Sequence, residues 1–308
     1  MKDRANALAL LAGLVTVTLW GSAFVGIRAA GAAFSPGSLA LGRLLVSSAI
    51  LGAVARVRRD PLPGRRDLLA SAAFGVLWLA LYSVALNAAE RRVDAGTAAM
   101  LINAGPILIA VLAGIFLREG FPPGLFAGGA IAFAGCAMIG IASTRHAPNA
   151  GSGVALCVVA AFAYAVAVVV QKPLLARVPA AQIMAIGCAA ATLACLPFAR
   201  GLVAEVARAS PAAIGWMIYL GSVPTTLGFA TWSYALRRTS AGRMASLTFL
   251  IPVVAIALGW VLLGERPPGL AVAGGTFCLG GVYLARRRPA SRALAPDRSG
   301  TLDRRHSA

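Results

Sequence analysis

Acidic side chains are scarce in this chain: 10 Asp and Glu among 308 residues, against 28 Lys and Arg. Charge of either sign makes up 12% of the sequence, roughly half of what a soluble surface carries. That deficit excludes a conventional soluble enzyme. Histidine is nearly absent, and neither His146 nor His306 lies in an apolar stretch, so a histidine-based metal centre has no ligands. The five cysteines, at 136, 157, 188, 195 and 278, all fall within apolar stretches, where small buried thiols are ordinary and disulfide pairing is not expected. No GxxxxGK[ST] motif is present, which excludes nucleotide-driven transport within this polypeptide. No Asp or Glu interrupts an apolar stretch, so a proton relay through a buried carboxylate lacks its usual residue. No cofactor and no catalytic constellation is expected.

What the chain has in abundance is uncharged length. Hydrophobic residues account for 59% of it. Uncharged runs occupy 5–27, 68–89, 95–117, 120–144, 147–171, 178–199, 209–236, 244–263 and 267–285, each 19 residues or longer; a helix needs about 20 to cross a bilayer. A further span is split at Arg43 into 29–42 and 44–55, with a turn-like FSPG at 34–37 marking where its helix begins near Gly37. The first run is not a signal peptide: it reaches 23 residues and no small-residue cleavage site follows. Ten crossings leave no room for a soluble domain.

The net charge of +18 then reads as topology rather than nucleic-acid affinity, because the basic residues sit between apolar spans. With the amino terminus inside, 20 Lys and Arg fall in inner segments, including ARVRRDPLPGRRD (55–67) and the stretch after 285, and 7 fall in outer ones. This bias places both termini in the cytoplasm. Residues 287–308 form a basic tail expected to be disordered near anionic lipid.

The chain also repeats itself. Shifted by 146 residues, 95–136 falls on 241–282: Pro106 meets Pro252, Glu119 meets Glu265, Gly128-Gly129 meet Gly274-Gly275 and Gly135 meets Gly281. Earlier segments match at an offset of 144, where Trp20 falls on Tyr164 and Arg28 on Lys172. Five spans per half is an odd number, so the second half enters the membrane in the opposite sense. Inverted halves are a recurrent basis for alternating access. The expected fold is an all-α integral membrane protein of ten transmembrane helices, arranged as two inverted five-helix repeats over 5–143 and 151–286.

The sequence resembles the EamA-domain family of the drug/metabolite transporter superfamily. The likeness rests on LWGSAFVGIR (19–28), PGSLALGRLL (36–45) and two copies of proline, glycine-containing apolar run, Glu and glycine-rich helix: NAGPILIAVLAGIFLREGFPP (103–123) and LIPVVAIALGWVLLGERPP (250–268). It departs from the usual pattern at Arg118, where the second half has Gly264. The resemblance implies a multi-pass carrier of the bacterial inner membrane that moves amino acids, small metabolites or drugs, frequently outward, through a central cavity.

Arg43 is the one formal charge inside a predicted span. It either faces a wet cavity, where its guanidinium can clamp a carboxylate, or snorkels to the nearby interface. Trp20, Tyr82, Asn87, Asn103, Tyr164 and Trp232 are further cavity candidates, each also readable as packing. Asn103 precedes Pro106, and Thr248 precedes Pro252; the two prolines would free the carbonyls of Ile102 and Thr248, making either a hinge or gate or an inert bend. Glu119 and Glu265 end their spans beside short turns and suit caps or loop salt bridges. The leading function is a carrier of small metabolites, amino-acid-like ones foremost, exporting by alternating access. Alternatives are a broad drug-efflux carrier, a channel or a membrane enzyme. Expected partners are a small-molecule substrate and membrane lipid, with no nucleic acid; a homodimer stays open.

Overall fold

The computed structural model describes residues 2–89, 91–92, 102–103, 105–143, 150–263 and 269–286. Glu265 and the 287–308 tail lie outside the described residues. Among those described, the chain forms ten helical rods and no strand: α1 (Lys2–Gly31), α2 (Pro36–Arg58), α3 (Arg65–Ala89), α4 (Gly105–Phe116), α5 (Pro123–Ser143), α6 (Ala150–Leu174), α7 (Ala180–Val206), α8 (Pro211–Arg238), α9 (241–263) and α10 (Gly269–Arg286). The protein is an all-α, multi-pass membrane protein. Where the sequence predicts ten full spans, six rods (α1 to α3 and α6 to α8) are long and apolar enough to cross a bilayer, while α4, α5, α9 and α10 hold apolar helices of 10–17 residues. A tight 3₁₀ turn, Leu247–Leu250, divides α9 into Ala241–Ser246 and Ile251–Leu263.

Pro106 and Pro252, the two prolines expected to hinge or merely bend, stand near the start of a helix. Pro106 is the second residue of Gly105–Phe116, and Pro252 the second of Ile251–Leu263. A missing N–H is harmless at those positions, since the first turn has no intrahelical partner to offer it. Pro36 opens α2 in the same manner, one residue before the predicted start.

Two π-helical turns widen the rods, Gly75–Tyr82 in α3 and Gly221–Leu227 in α8. The second contains Pro224, which has no N–H to donate. Thr225 and Thr226 add side-chain bonds to this wide turn. Their hydroxyls donate to Leu220 O at 2.7 Å and Gly221 O at 2.8 Å.

The close helix contacts recur at the repeat spacing. A Cβ on Gly75 would overlap the Gly187 backbone, and one on Gly221 would stand 2.6 Å from Arg43 O. Gly75 and Gly221 are 146 residues apart, and Arg43 and Gly187 are 144 apart. Likewise α5 and α10 meet backbone to backbone: a Cβ on Gly128 would lie 2.5 Å from Gly281 O, and one on Gly135 2.5 Å from Gly274 O. Lipid removes the hydrophobic drive between helices, so dispersion at such approaches carries the association. Ser48 bonds Thr192 at 2.9 Å, joining a residue to the one 144 positions on.

Side-chain contacts define two ends. At one, Asn87 donates to Pro36 O and the Ser35 amide donates to Glu205. At the other, Gln182 donates to Pro61 O and Arg177 pairs with Asp67 at 2.8 Å. We call these the mouth and base ends.

Gly128→Val should melt in detergent at a clearly lower temperature than the parent, since forcing atoms into this contact costs about 1–3 kcal/mol. Gly129→Ala is the control, because nothing lies within 4 Å of its added Cβ. Equal melting temperatures for the two variants would show that the α5–α10 contact does not hold the bundle together.

Candidate functional site

An aromatic cluster fills the middle of the bundle. Residue Trp20 comes from α1, Trp78 and Tyr82 from the π turn of α3, Tyr164 from α6, and Phe229 and Trp232 from α8. The Trp78 ring lies 4.7 Å from Phe229, 4.8 Å from Tyr164, 5.4 Å from Trp232 and 5.7 Å from Trp20, centroid to centroid. These are edge-on or tilted arrangements, the geometries that ring quadrupoles favour. The Trp20 indole donates to Pro224 O at 3.1 Å, the carbonyl of the π turn.

From this cluster a cleft runs toward the mouth end. Trp20, Trp78, Tyr82, Tyr164 and Phe229 supply its aromatic wall, with Phe24, Ile27 and Ile251 beside them. Arg43, Asn87, Asn103, Thr225 and Thr248 supply its polar groups, and Pro106 and Pro252 border it. Arg43 is half-buried and donates through Nη2 to Thr225 Oγ1 at 3.0 Å. Asn87, buried, spends its Nδ2 on Pro36 O at 3.1 Å; its Oδ1 and the Tyr164 hydroxyl are buried with no hydrogen-bond partner among the described residues. Such atoms are rare in a folded protein and cost free energy while unmatched.

The structure thus brings Trp20, Arg43, Tyr82, Asn87, Asn103, Tyr164, Pro106 and Pro252 to one cleft. Trp232 does not line it. It stands fully buried behind Trp20, 5.1 Å between ring centroids, and donates to Gln171 Oε1 at 3.0 Å, while Gln171 Nε2 donates to Ser233 Oγ at 3.0 Å. A polar triad this deep leaves the indole N–H nothing to offer a ligand. Reasoning from sequence missed Trp78 and did not assign Thr225 to the cavity, although the repeat offset of 146 sets Trp78 against Pro224 and Leu79 against Thr225, all four of which border the cleft.

Toward the base end the bundle is closed. The Lys172 ammonium donates to Leu236 O and Thr239 O at the end of α8. Glu119 accepts from the amides of Ala241 at 2.9 Å and Gly242 at 3.4 Å, capping α9 where the helix dipole favours a carboxylate. Of the two readings for Glu119, this is the cap. Among the described residues, no group of three His, Cys, Asp or Glu is placed to hold a metal ion.

The sequence pattern of the EamA-like transporter family matches residues 7–141 and again 151–287. The chain belongs to that family. It is similar to a probable terminal-alkyne amino-acid exporter of Streptantibioticus cattleyicolor, at 36% identity over 92% of this chain and 95% of that one. A probable amino-acid metabolite efflux pump of Salmonella typhimurium is 28% identical over 88% of this chain and 92% of its own. An uncharacterized transporter of Bacillus subtilis is 30% identical over 86% and 87%. A crystal structure at 20% identity shares the fold with a TM-score of 0.74, covering 90% of this chain and 96% of that one.

In this transporter Gln171→Leu should leave the buried Trp232 indole unpartnered, a loss of about 1–3 kcal/mol. The expected readouts are a lower melting temperature and altered tryptophan emission. Unchanged values in both would mean that the triad contributes nothing to the floor of the cleft.

Proposed function

We propose that the protein is a carrier that exports small carboxylated metabolites, amino acids foremost, by alternating access between two inverted five-helix repeats, 5–143 and 151–286. The observation that carries this reading is the placement of Arg43, a cation held within hydrogen-bond reach of Thr225 on the wall of a mostly aromatic and apolar cleft. A guanidinium kept below the membrane surface is costly unless it serves an anion, and its fork matches a carboxylate. The names of the relatives from Streptantibioticus cattleyicolor and Salmonella typhimurium support the same substrate class.

Contacts that recur at the repeat spacing support the inversion: Gly75 on Gly187 with Gly221 on Arg43, and Gly128 on Gly281 with Gly135 on Gly274. The basic residues assigned to inner loops, among them Arg58, Arg177 and Arg238, gather at the base end with Lys172, which supports a cytoplasmic base in a bacterial inner membrane. On this reading the described residues seal the bundle on its cytoplasmic side. Export requires the opposite state, in which the α8–α9 turn leaves Lys172 and Glu119 and the mouth closes, with Pro106 and Pro252 as the flexing points beside the cleft.

Purified protein in liposomes should show saturable counterflow of labelled amino acids. Arg43→Gln should lose about tenfold or more in apparent affinity for them, the scale of a lost charge-assisted contact. Trp20→Ala should weaken binding of large side chains more than small ones. Wild-type flux and affinity in both variants would remove the cleft as the transport site. Counterflow of cationic drugs with none of amino acids would replace the proposal with broad drug efflux.

A further inference from the structure

Why Arg43 stays on the cleft wall is not explained by its own helix. It lies seven residues from Pro36, about 10 Å down α2 from the mouth end. A side chain that leans toward the helix amino terminus can cover most of that distance and snorkel out. The counterweight is on α8. Pro224 has no N–H to offer Leu220 O, and the Thr225 hydroxyl donates to that carbonyl at 2.7 Å. With its proton committed, Thr225 Oγ1 has only lone pairs left to present, and it is 98% buried in the turn that faces α2. Arg43 Nη2 donates into those lone pairs at 3.0 Å. The next residue repeats the device. Thr226 donates to Gly221 O at 2.8 Å and meets Ser47 Oγ, one turn beyond Arg43, at 2.8 Å. Gly221, bare of a side chain, lets this turn lie against the Arg43 backbone.

We infer that Thr225 is a positioning residue for substrate selection: its hydroxyl, oriented by its bond to Leu220 O, holds the Arg43 guanidinium inward so that the carrier prefers carboxylates to their uncharged analogues. The inference rests on the reading of the cleft as the transport site. Thr225 does not touch substrate in this scheme; it acts through Arg43. The methyl of threonine is dispensable and the hydroxyl is not.

Two measurements test this. In liposomes, counterflow of labelled L-leucine is competed with unlabelled L-leucine or L-leucinamide, which differ in the carboxylate. Thr225→Val should cut the leucine-over-leucinamide preference about tenfold, the loss expected for a hydrogen bond to a charged group, with competition by leucinamide unchanged. Thr225→Ser should restore the preference. A residue that merely stabilised α8 would weaken both competitors together, and an unchanged ratio in the Val variant overturns the inference. The second measurement needs no substrate: melting temperatures of Arg43→Gln, Thr225→Val and the double variant. Coupled residues give a double variant little less stable than the worse single one; additive losses overturn the inference. Coupling without any leucine counterflow by the wild type would instead defeat the amino-acid reading under the proposed function, leaving the Arg43–Thr225 anchor standing.

Discussion

Inside a bilayer a polar group must find its partner within the protein, because lipid offers none. Much of the architecture follows from how this chain meets that demand with few polar side chains. Thr16 on α1 donates within its own helix and meets Thr231 on α8 at 2.8 Å; Ser22 meets the Tyr219 hydroxyl at 2.6 Å. Gln171, Trp232 and Ser233 satisfy one another where no water reaches. The π turn of α8 is the most economical case, since the hydroxyls of two threonines bond carbonyls of their own turn while also fastening α8 to α2. Against this background the exceptions stand out. Asn87 Oδ1 and the Tyr164 hydroxyl, both on residues bordering the cleft, are buried and unmatched among the described residues.

Close backbone approach is the second consequence of the same solvent. With hydrophobic burial unable to distinguish protein from lipid, helices associate where small residues let dispersion and packing act at short range. The glycine contacts of α3 on α7, α8 on α2 and α5 on α10 are such places. Each has a counterpart at the repeat offset, and the Ser48–Thr192 bond links repeat-related positions to each other. Contacts of this kind suit two halves that rock about a shared axis, because neither half has to exchange its partner residues for chemically different ones. Charge enters mainly at the ends. Lys172 and Glu119 use carbonyls and amides already left over by helix termini, so the base closes without burying an ion pair in the membrane interior.

The helical class, the number of rods and eight of the residues that border the cleft were legible in the chain, because charge-free length and proline spacing are local properties that a bilayer converts directly into helices. Arg43 stood out for the same reason, as a charge where charge is expensive. What could not be read was direction. Trp20 and Trp232 look alike as tryptophans beside small and polar residues, yet one faces the cleft and the other lies behind it with its indole spent on Gln171. Trp78 carries no polar neighbour to advertise it, and only the π turn brings it round to the centre of the cluster.

The sequence by itself determined that this protein lives in a membrane, how its charges are distributed along the chain and which positions recur between its halves, since composition and periodicity are sufficient for those. The tertiary structure decided which polar groups are spent on one another and which border open space. That choice depends on side chains distant in the chain meeting across helix interfaces, as Arg43 meets Thr225 over a separation of 182 residues.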